Sequence, residues 1–258
     1  MTRITPPNAC DAHLHVVGYG ALRDYAAVQR RIGTTRAVLV QSKNFGVDNT
    51  CMLEALAQLG PRGRGIAVVA PSVSDDELHR LHTGNVRGLR FSLWNPSDAV
   101  TTIDMVEPLA KRLTDLGWHI QMHMSADQIV AAETLLRRVP CPIVFDHMGR
   151  LPPELGVGHP AFAVITDLVD RDRAWVKLSG AYLNTRSGHP YEDATAIAQA
   201  YVKAAPDRLV WGSDWPHVTE SHTPDDAALF DLLTKWAPDD ATRTRILVDN
   251  PAKLYGFV

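Results

Sequence analysis

The sequence predicts a single (β/α)8 TIM barrel, with residues 1–258 forming one domain. Eight short apolar runs alternate along the chain with segments whose apolar residues recur at helical spacing. Successive runs start 21 to 34 residues apart, which is about one strand-helix unit. The runs are continuous in Val, Ile, Leu and Ala, as expected for parallel strands buried on both faces. An open, doubly wound sheet is the alternative that this pattern also allows.

The predicted strands are spaced evenly from one end of the chain to the other. Serines at 74 and 125 open capping boxes, SDDE and SADQ, at the starts of two predicted helices. The Pro/Gly-rich segment 150–160 is predicted to be a long loop after the sixth strand, on the face where barrel enzymes carry their catalytic groups. In chain order, the strands are predicted to begin near Asp11, Arg36, Gly65, Val86, Trp118, Cys141, Ala174 and Arg208.

Composition and charge exclude several classes of function. The net charge of −3 lacks the basic excess that a nucleic-acid binder needs, and no apolar run reaches the ~18 residues of a membrane helix. Cys10, Cys51 and Cys141 have no CxxC spacing, which predicts free thiols in the cytoplasm. The expected partner is therefore a small-molecule substrate, with no nucleic acid or membrane, and with a homo-oligomer allowed.

A pair of histidines lies on the first predicted strand, in the segment DAHLH. Alternate residues of a strand point the same way, so His13 and His15 are expected to share one side of the sheet. The bare H-x-H pattern is weak, because 11 histidines in 258 residues produce it roughly 0.5 times by chance. Two satisfied core imidazoles are the alternative interpretation of this motif taken alone.

Further polar residues fall at the ends of later strands. His123 lies late in the fifth strand, His147 ends the sixth and Asp214 ends the eighth. Barrel enzymes place their chemistry at this rim, so a common site is predicted. Imidazoles and a carboxylate suit one divalent ion, Zn²⁺ or Mn²⁺, with a position left for water. The same groups can also act without metal, with imidazoles donating to an oxyanion and Asp214 as general base.

Three residues in the loops after strands seven and eight are candidate substrate contacts. Tyr182 and Arg186 follow the seventh strand, and His217 follows Asp214 by three residues. Loops on this face of a barrel supply binding residues, although surface or rim positions explain these residue types equally well.

The motifs together resemble the amidohydrolase superfamily. They are DAHLH on strand one, FDHMGR on strand six, KLSG on strand seven, WGSDWPH on strand eight and the ending DNPAKLYGF. Within the superfamily they are similar to the lactonase branch that includes 2-pyrone-4,6-dicarboxylate lactonase. The resemblance extends from Ala9 to Phe257.

The resemblance implies roles for individual residues. His13, His15 and His147 would surround the scissile carbonyl, and Asp214 would be the general base on the hydrolytic water. Arg90 and Arg150 would bind a substrate carboxylate, a task that suits the guanidinium fork.

The resemblance also bears on the metal. The lactonase of that branch acts without a metal and is expected to carry a tyrosine on strand five, where this chain has His123. A histidine there resembles the metal-binding members, in which the corresponding His13, His15, His123 and Asp214 would hold one ion. His147 would then be left for catalysis.

The predicted function is a hydrolase that opens a small, carboxylate-bearing lactone with water activated by Asp214. A decarboxylase or hydratase of a small unsaturated acid is the alternative on the same site. A metal-dependent phosphoesterase is disfavoured, because strand four ends in Arg90-Phe91-Ser92 rather than in a bridging acid. A non-catalytic, ligand-binding barrel is the alternative from another class.

Overall fold

Eight parallel strands form one sheet in simple chain order. The computed structural model describes residues 5–18, 20–219 and 223–258. Each strand pairs with the next one along the chain, from β1 with β2 to β7 with β8. The strands are β1 Cys10–Leu14, β2 Arg36–Val40, β3 Gly63–Ala67, β4 Val86–Ser92, β5 His119–His123, β6 Ile143–Phe145, β7 Ala174–Leu178 and β8 Leu209–Trp211.

The sheet closes between its first and last strands, just beyond their C-terminal ends. The backbone N–H of Asp214 donates to the carbonyl of His13 (2.8 Å), and that of His15 donates to the carbonyl of Trp215 (2.8 Å). Leu14 and Trp215 also form a parallel bridge. The predicted (β/α)8 barrel is therefore confirmed, and the open sheet is not formed.

Helices connect the strands and cover the outside of the barrel. Two short helices follow β5, and three helices with an intervening π-helical turn (Arg245–Asp249) follow β8. None of the helices in the described ranges is long and apolar enough to span a membrane. The helices are α1 Ala21–Ile32, α2 Thr50–Leu59, α3 Asp75–Thr83, α4 Val106–Leu113, α5 Ala126–Ala131, α6 Glu133–Arg138, α7 Pro160–Asp170, α8 Glu192–Ala204, α9 Asp226–Trp236, α10 Asp240–Thr244 and α11 Asn250–Tyr255.

The C-terminal segment closes the end of the barrel opposite the predicted site. Arg64, near the start of β3, donates from Nε to the carbonyl of Tyr255 (3.0 Å) and from Nη2 to that of Gly256 (2.7 Å). Tyr255 is fully buried and packs with apolar residues of β1, β2, β3 and β8. The C-terminal segment thus covers this end of the strands, and the predicted site lies at the other end.

The turns after the strands begin earlier than the sequence predicts. β6 and β8 contain three residues each, so His147 starts a short helical turn (His147–Arg150) and Asp214 lies three residues past Trp211. The predicted capping box at Ser125 is confirmed, and the Ser74 side chain accepts from the N–H of Glu77. Segment 150–160 lies in the connection between β6 and α7, as predicted.

Candidate active site

Two turns at the C-terminal rim hold their residues in an unusual backbone conformation. His147 and Arg150 after β6 have φ of 48° and 50°, and Asp214 and His217 after β8 have φ of 65° and 63°. Non-glycine residues adopt this left-handed region only at a cost, and such strain clusters at functional sites. The strained turns aim the predicted catalytic side chains at the barrel mouth.

Three histidines converge on one oxygen of Asp214. Asp214 Oδ1 lies 3.4 Å from His13 Nε2, 3.4 Å from His15 Nε2 and 3.9 Å from His147 Nε2. The two Nε2 atoms of His13 and His15 are 3.3 Å apart. All four side chains are buried. The structure therefore brings together the four residues that the sequence predicts as catalytic.

The contacts of Nδ1 in His13 and His15 determine whether Nε2 of each ring faces the site with a proton or with a lone pair. His15 Nδ1 lies 2.9 Å from the carbonyl of Val40, which can only accept, so His15 presents a lone pair at Nε2. His13 Nδ1 lies between a donor, Lys177 Nζ (3.4 Å), and an acceptor, Asp146 Oδ1 (3.3 Å). Charged groups of both signs thus adjoin His13 Nδ1.

The donor set fits a tetrahedral divalent ion. One ligand atom from each of His13, His147 and Asp214 lies within 4.8 Å of the others, and His15 adjoins this group. Ligand bonds of about 2.0–2.1 Å in a tetrahedron place neighbouring ligand atoms roughly 3.3 Å apart. The separations among His13 Nε2, His15 Nε2 and Asp214 Oδ1 match that value. A proton on His13 Nδ1 would leave all three atoms with lone pairs facing the site.

His123, predicted as a metal ligand, lies next to this group rather than within it. Its Nδ1 is 3.1 Å from Ser92 Oγ, and its ring centroid is 5.2 Å from that of His147. Its Nε2 is buried and has no hydrogen-bond partner within the described part of the chain. His147 itself contacts Ser179 Oγ through Nδ1 at 2.9 Å, which orients its Nε2 toward Asp214.

A buried charged network lies beneath the histidines. Lys177 Nζ donates to Gln121 Oε1 (2.7 Å) and to the carbonyl of Ala12 (2.8 Å). Asp146 Oδ2 accepts from Gln121 Nε2 (3.1 Å) and from Arg90 Nε (3.2 Å). Asp146 Oδ1 lies at ion-pair distance from His13 but off the direction of a hydrogen bond. The network fixes the floor of the site.

Burial sets the ionisation of the groups in the site. It lowers the pKa of His147 and of His123 to about 3 and the pKa of His13 well below its usual value. It also lowers the pKa of Lys177 to about 8. Burial opposes ionisation of Asp214, but His147, His15 and His13 outweigh it and hold its pKa well below the usual range. At neutral pH the imidazoles of His13, His123 and His147 are therefore neutral, and Asp214 is ionised.

The three predicted substrate-binding arginines lie in two places. Arg90 is buried beside the network and lines a small pocket with Gln41, Ser92 and Thr101. Arg150 stacks on Trp94, with its guanidinium carbon 3.9 Å from the ring centroid, and donates to the carbonyl of Leu183. The exposed Arg186 pairs with Glu154 at 2.9 Å. Arg150 and Arg186 line one surface groove, which also contains Trp94.

Tyr182 and His217, predicted as substrate contacts, lie against Asp214. The Tyr182 hydroxyl donates to Asp214 Oδ2 at 2.6 Å. His217 Nδ1 lies 3.0 Å from the same hydroxyl, and its Nε2 lies 3.0 Å from Asp226 Oδ1. These contacts hold Asp214 Oδ2, while His13, His15 and His147 lie around Oδ1.

The sequence-based candidates do not include Gln121, Asp146, Lys177 or Asp226, which the structure places in the site. A signal exists for two of them. Lys177 interrupts an apolar strand in KLSG, and Asp146 precedes His147 in FDH. A charged residue within a doubly buried strand must be paired, which marks such positions as part of a network. Asp226 has no such signal, because it opens an ordinary amphipathic helix.

Comparisons with known proteins agree with this geometry. The chain matches the amidohydrolase family over residues 10–257. It is 36% identical over 274 residues to a 4-sulfomuconolactone hydrolase from Rhizobium radiobacter, covering 98% of this chain and 91% of the relative. It is 33% identical over 276 residues to a 2-pyrone-4,6-dicarboxylate hydrolase from Comamonas testosteroni, covering 97% and 90%. A crystal structure from Agrobacterium tumefaciens superposes with a TM-score of 0.90 at 26% identity, covering 98% of this chain and 95% of that one.

Proposed function

The chain belongs to the amidohydrolase family, and on that basis we propose that it is an enzyme that hydrolyses the ester bond of a small, anionic lactone. The observation that carries the proposal is the convergence of His13, His15 and His147 on Asp214 Oδ1, within 3.4 to 3.9 Å. The two curated relatives described above are named as hydrolases of a sulfonated lactone and of a pyrone dicarboxylate. Both names describe cyclic esters that carry anionic groups.

In the proposed reaction, a water oxygen bonds to the lactone carbonyl carbon and the ring C–O bond then breaks. Asp214 is ionised, because its neighbouring imidazoles hold its pKa low, and its Oδ1 accepts a proton from the attacking water and passes it to the ring oxygen that leaves. His147 is neutral and is oriented by Ser179, so its Nε2 is available to the reacting oxygens. Arg90, buried and held by Asp146, binds a substrate carboxylate or sulfonate.

For the cofactor we propose one zinc or manganese ion, held by His13, His15 and Asp214. When bound, such an ion supplies Lewis-acid polarisation of the carbonyl and acidifies water. His147 and His123 lie beside this set, and His123 Nε2 is a buried nitrogen that still lacks a partner among the described residues. Elemental analysis of the purified protein tests this assignment: one equivalent of metal supports it, and full activity of metal-free protein contradicts it.

The cellular compartment we propose is the cytoplasm. Cys10, Cys51 and Cys141 are all buried and free, as expected for a protein in a reducing compartment.

Substitution of Asp214 tests the proposed reaction. We expect Asp214→Asn to reduce lactone hydrolysis by about 10³-fold or more, because an amide cannot accept the proton of the attacking water. Acid release from a panel of anionic and neutral lactones, followed with a pH indicator, gives the rates. Asp115→Asn, which changes an exposed carboxylate in the same way, is the matched control and should retain the wild-type rate.

Two results would contradict the proposal. One is a wild-type protein that is inactive on every lactone but decarboxylates or hydrates small unsaturated acids. The other is an Asp214→Asn protein that hydrolyses lactones as fast as the Asp115→Asn control.

A further inference from the structure

A chain of buried hydrogen-bonding groups leads from the back of Asp214 to the first turn of α9. Its members are Asp214 Oδ2, the Tyr182 hydroxyl, His217 and Asp226, and its three contacts measure 2.6, 3.0 and 3.0 Å. Each of the four side chains belongs to a residue that is less than a tenth exposed. Three separate segments supply them: the turn after β7, the turn after β8 and helix α9.

Counting protons along the chain defines the direction of each bond. Tyr182 has one hydroxyl proton, and the 2.6 Å contact directs it to Asp214 Oδ2. The Tyr182 oxygen can then only accept, so His217 Nδ1 carries a proton. His217 Nε2 lies 3.0 Å from Asp226 Oδ1, so the Asp226 carboxyl is the last group of the chain.

We propose that Tyr182, His217 and Asp226 are positioning residues that hold the Asp214 carboxylate with Oδ1 facing the reacting atoms. This inference rests on the proposed function of Asp214. His217 contacts the Tyr182 hydroxyl through Nδ1 and Asp226 through Nε2. The Tyr182 hydroxyl contacts both His217 and Asp214 Oδ2. Their polar atoms are thus committed to Asp214 and to each other rather than to substrate. Asp226 acts furthest from the reaction, through His217 and Tyr182.

Kinetics of single and double variants test the chain. We expect Tyr182→Phe to lower kcat by about 10- to 100-fold and to change KM by less than about twofold. The reason is that the ionised Asp214 carboxylate loses the hydrogen bond from the Tyr182 hydroxyl, and hydrogen bonds to charged groups are stronger than those between neutral groups. Asp226→Asn should lower kcat by about 3- to 10-fold. The double variant should equal Tyr182→Phe alone, since that change already disconnects Asp226 from Asp214.

Two control variants match these changes. Asp225→Asn removes the neighbouring charge at the same helix start, where Asn can also cap the helix. Tyr255→Phe removes a buried tyrosine hydroxyl that has no hydrogen-bond partner among the described residues, at the other end of the barrel. Both should keep kcat within about twofold of wild type.

A measurement without substrate separates this inference from the proposed reaction. NMR of protein labelled with ¹⁵N-histidine should show a proton on His217 Nδ1, the nitrogen that faces the Tyr182 hydroxyl, and the His217 ring signals should change in Asp226→Asn. A His217 ring whose Nδ1 carries no proton would overturn the chain even if lactones are hydrolysed. So would a Tyr182→Phe protein whose KM alone rises, or double-variant losses that multiply. A wild-type protein inactive on all lactones, with the proton on His217 Nδ1 observed, would instead overturn only the reaction.

Discussion

Arg90 places a positive charge inside the barrel, at the edge of the site. Its side chain is 7% exposed, and its Nε donates to Asp146, whose carboxylate is fully buried. Desolvation of this guanidinium is offset by that ion pair. The side chain also lines a small pocket with Gln41, Ser92 and Thr101. The Gln41 amide donates to the carbonyls of Gly46 and Asp48, so Arg90 is the group in this pocket that would meet a substrate anion.

Substitution of Arg90 by lysine tests this role. We expect Arg90→Lys to raise KM for anionic lactones by about 10- to 100-fold, because an ammonium group keeps the charge but loses the fork that binds two carboxylate oxygens. Rates on neutral lactones should change little. Steady-state kinetics on lactone acids and their methyl esters make the comparison.

Arg87→Lys is the matched control for that measurement. Arg87 lies on the same strand and donates to the carbonyls of His82 and Val86, away from the network around Asp146. Equal losses on charged and neutral lactones in Arg90→Lys would show that Arg90 supports the site without binding the anion.

Individual residues differ in how far the sequence predicts them. His13, His15, His147 and Asp214 are predictable because each lies at a strand end, and strand ends meet at one rim. Tyr182 and His217 are identified as candidates, but their contacts with Asp214 depend on side-chain directions that loop sequences do not encode. The position of His123 outside the central group is likewise decided by its contact with Ser92.

The junction of β1 with the end of β8 is the element on which the site depends. Gly212 directly follows β8, and a Cβ built there would lie 2.5 Å from His13 Cβ and 2.7 Å from the His13 backbone nitrogen. Asp11 reinforces the junction, because its Oδ1 accepts from the backbone N–H of Ser213 and of His13. The two strands can approach this closely only with glycine at position 212.

An added methyl group at this junction should disturb both stability and catalysis. We expect Gly212→Ala to lower the free energy of unfolding by about 1–3 kcal/mol, because β1 and β8 must separate to make room. Activity should fall as well, since His13 and Asp214 are carried on the two displaced segments. Urea unfolding and lactone hydrolysis provide the measurements.

Gly158→Ala is the control for this prediction. A Cβ at Gly158 meets no atom of the described residues within 4 Å, and its backbone does not require positive φ. Equal stability of the Gly212→Ala and Gly158→Ala proteins would mean that the junction tolerates a wider separation than the structure indicates.

Element boundaries are predicted less well than element order. Apolar runs mark β6 and β8, and each strand ends with the last apolar residue of its run rather than at His147 or Asp214, because the turns that follow adopt left-handed conformations at these two residues. Those conformations depend on contacts with other strands. One example is the bond from the Asp214 N–H to the His13 carbonyl.

Across the whole molecule, buried neutral histidines make stability depend on pH. His119, at the start of β5, is almost fully buried against Tyr255, and burial lowers its pKa to about 3. An unfolded histidine has a pKa of about 6.5. Between these values the unfolded chain binds a proton that the folded protein does not. Stability contributed by this group is therefore present above pH 6.5 and is lost as the pH falls toward 3.

Removal of this histidine should weaken the pH dependence. When the pH falls from 7 to 5, one such histidine lowers the free energy of unfolding by about 2 kcal/mol. We expect the difference in unfolding free energy between these two pH values to shrink by about that amount in His119→Leu, measured by urea unfolding. An unchanged difference would mean that His119 takes up a proton in the folded protein.

The fold as a whole follows from the chain in its main features. Regular alternation and doubly buried strands predict eight parallel strands, but they do not distinguish a closed barrel from an open sheet. Closure depends on bonds between residues about 200 positions apart, such as His13 with Asp214. The buried network of Lys177, Gln121 and Asp146 is likewise assembled from separate strands.

The central claim is that water attacks a lactone carbonyl at the mouth of this barrel. Hydrolysis of a lactone acid in ¹⁸O-labelled water, followed by mass spectrometry, tests it most directly. We expect one ¹⁸O atom in the new carboxylate of each product molecule, formed at the rate of ring opening and lost in parallel with activity in Asp214→Asn. An unlabelled product, or a product that has lost carbon dioxide, would contradict the account.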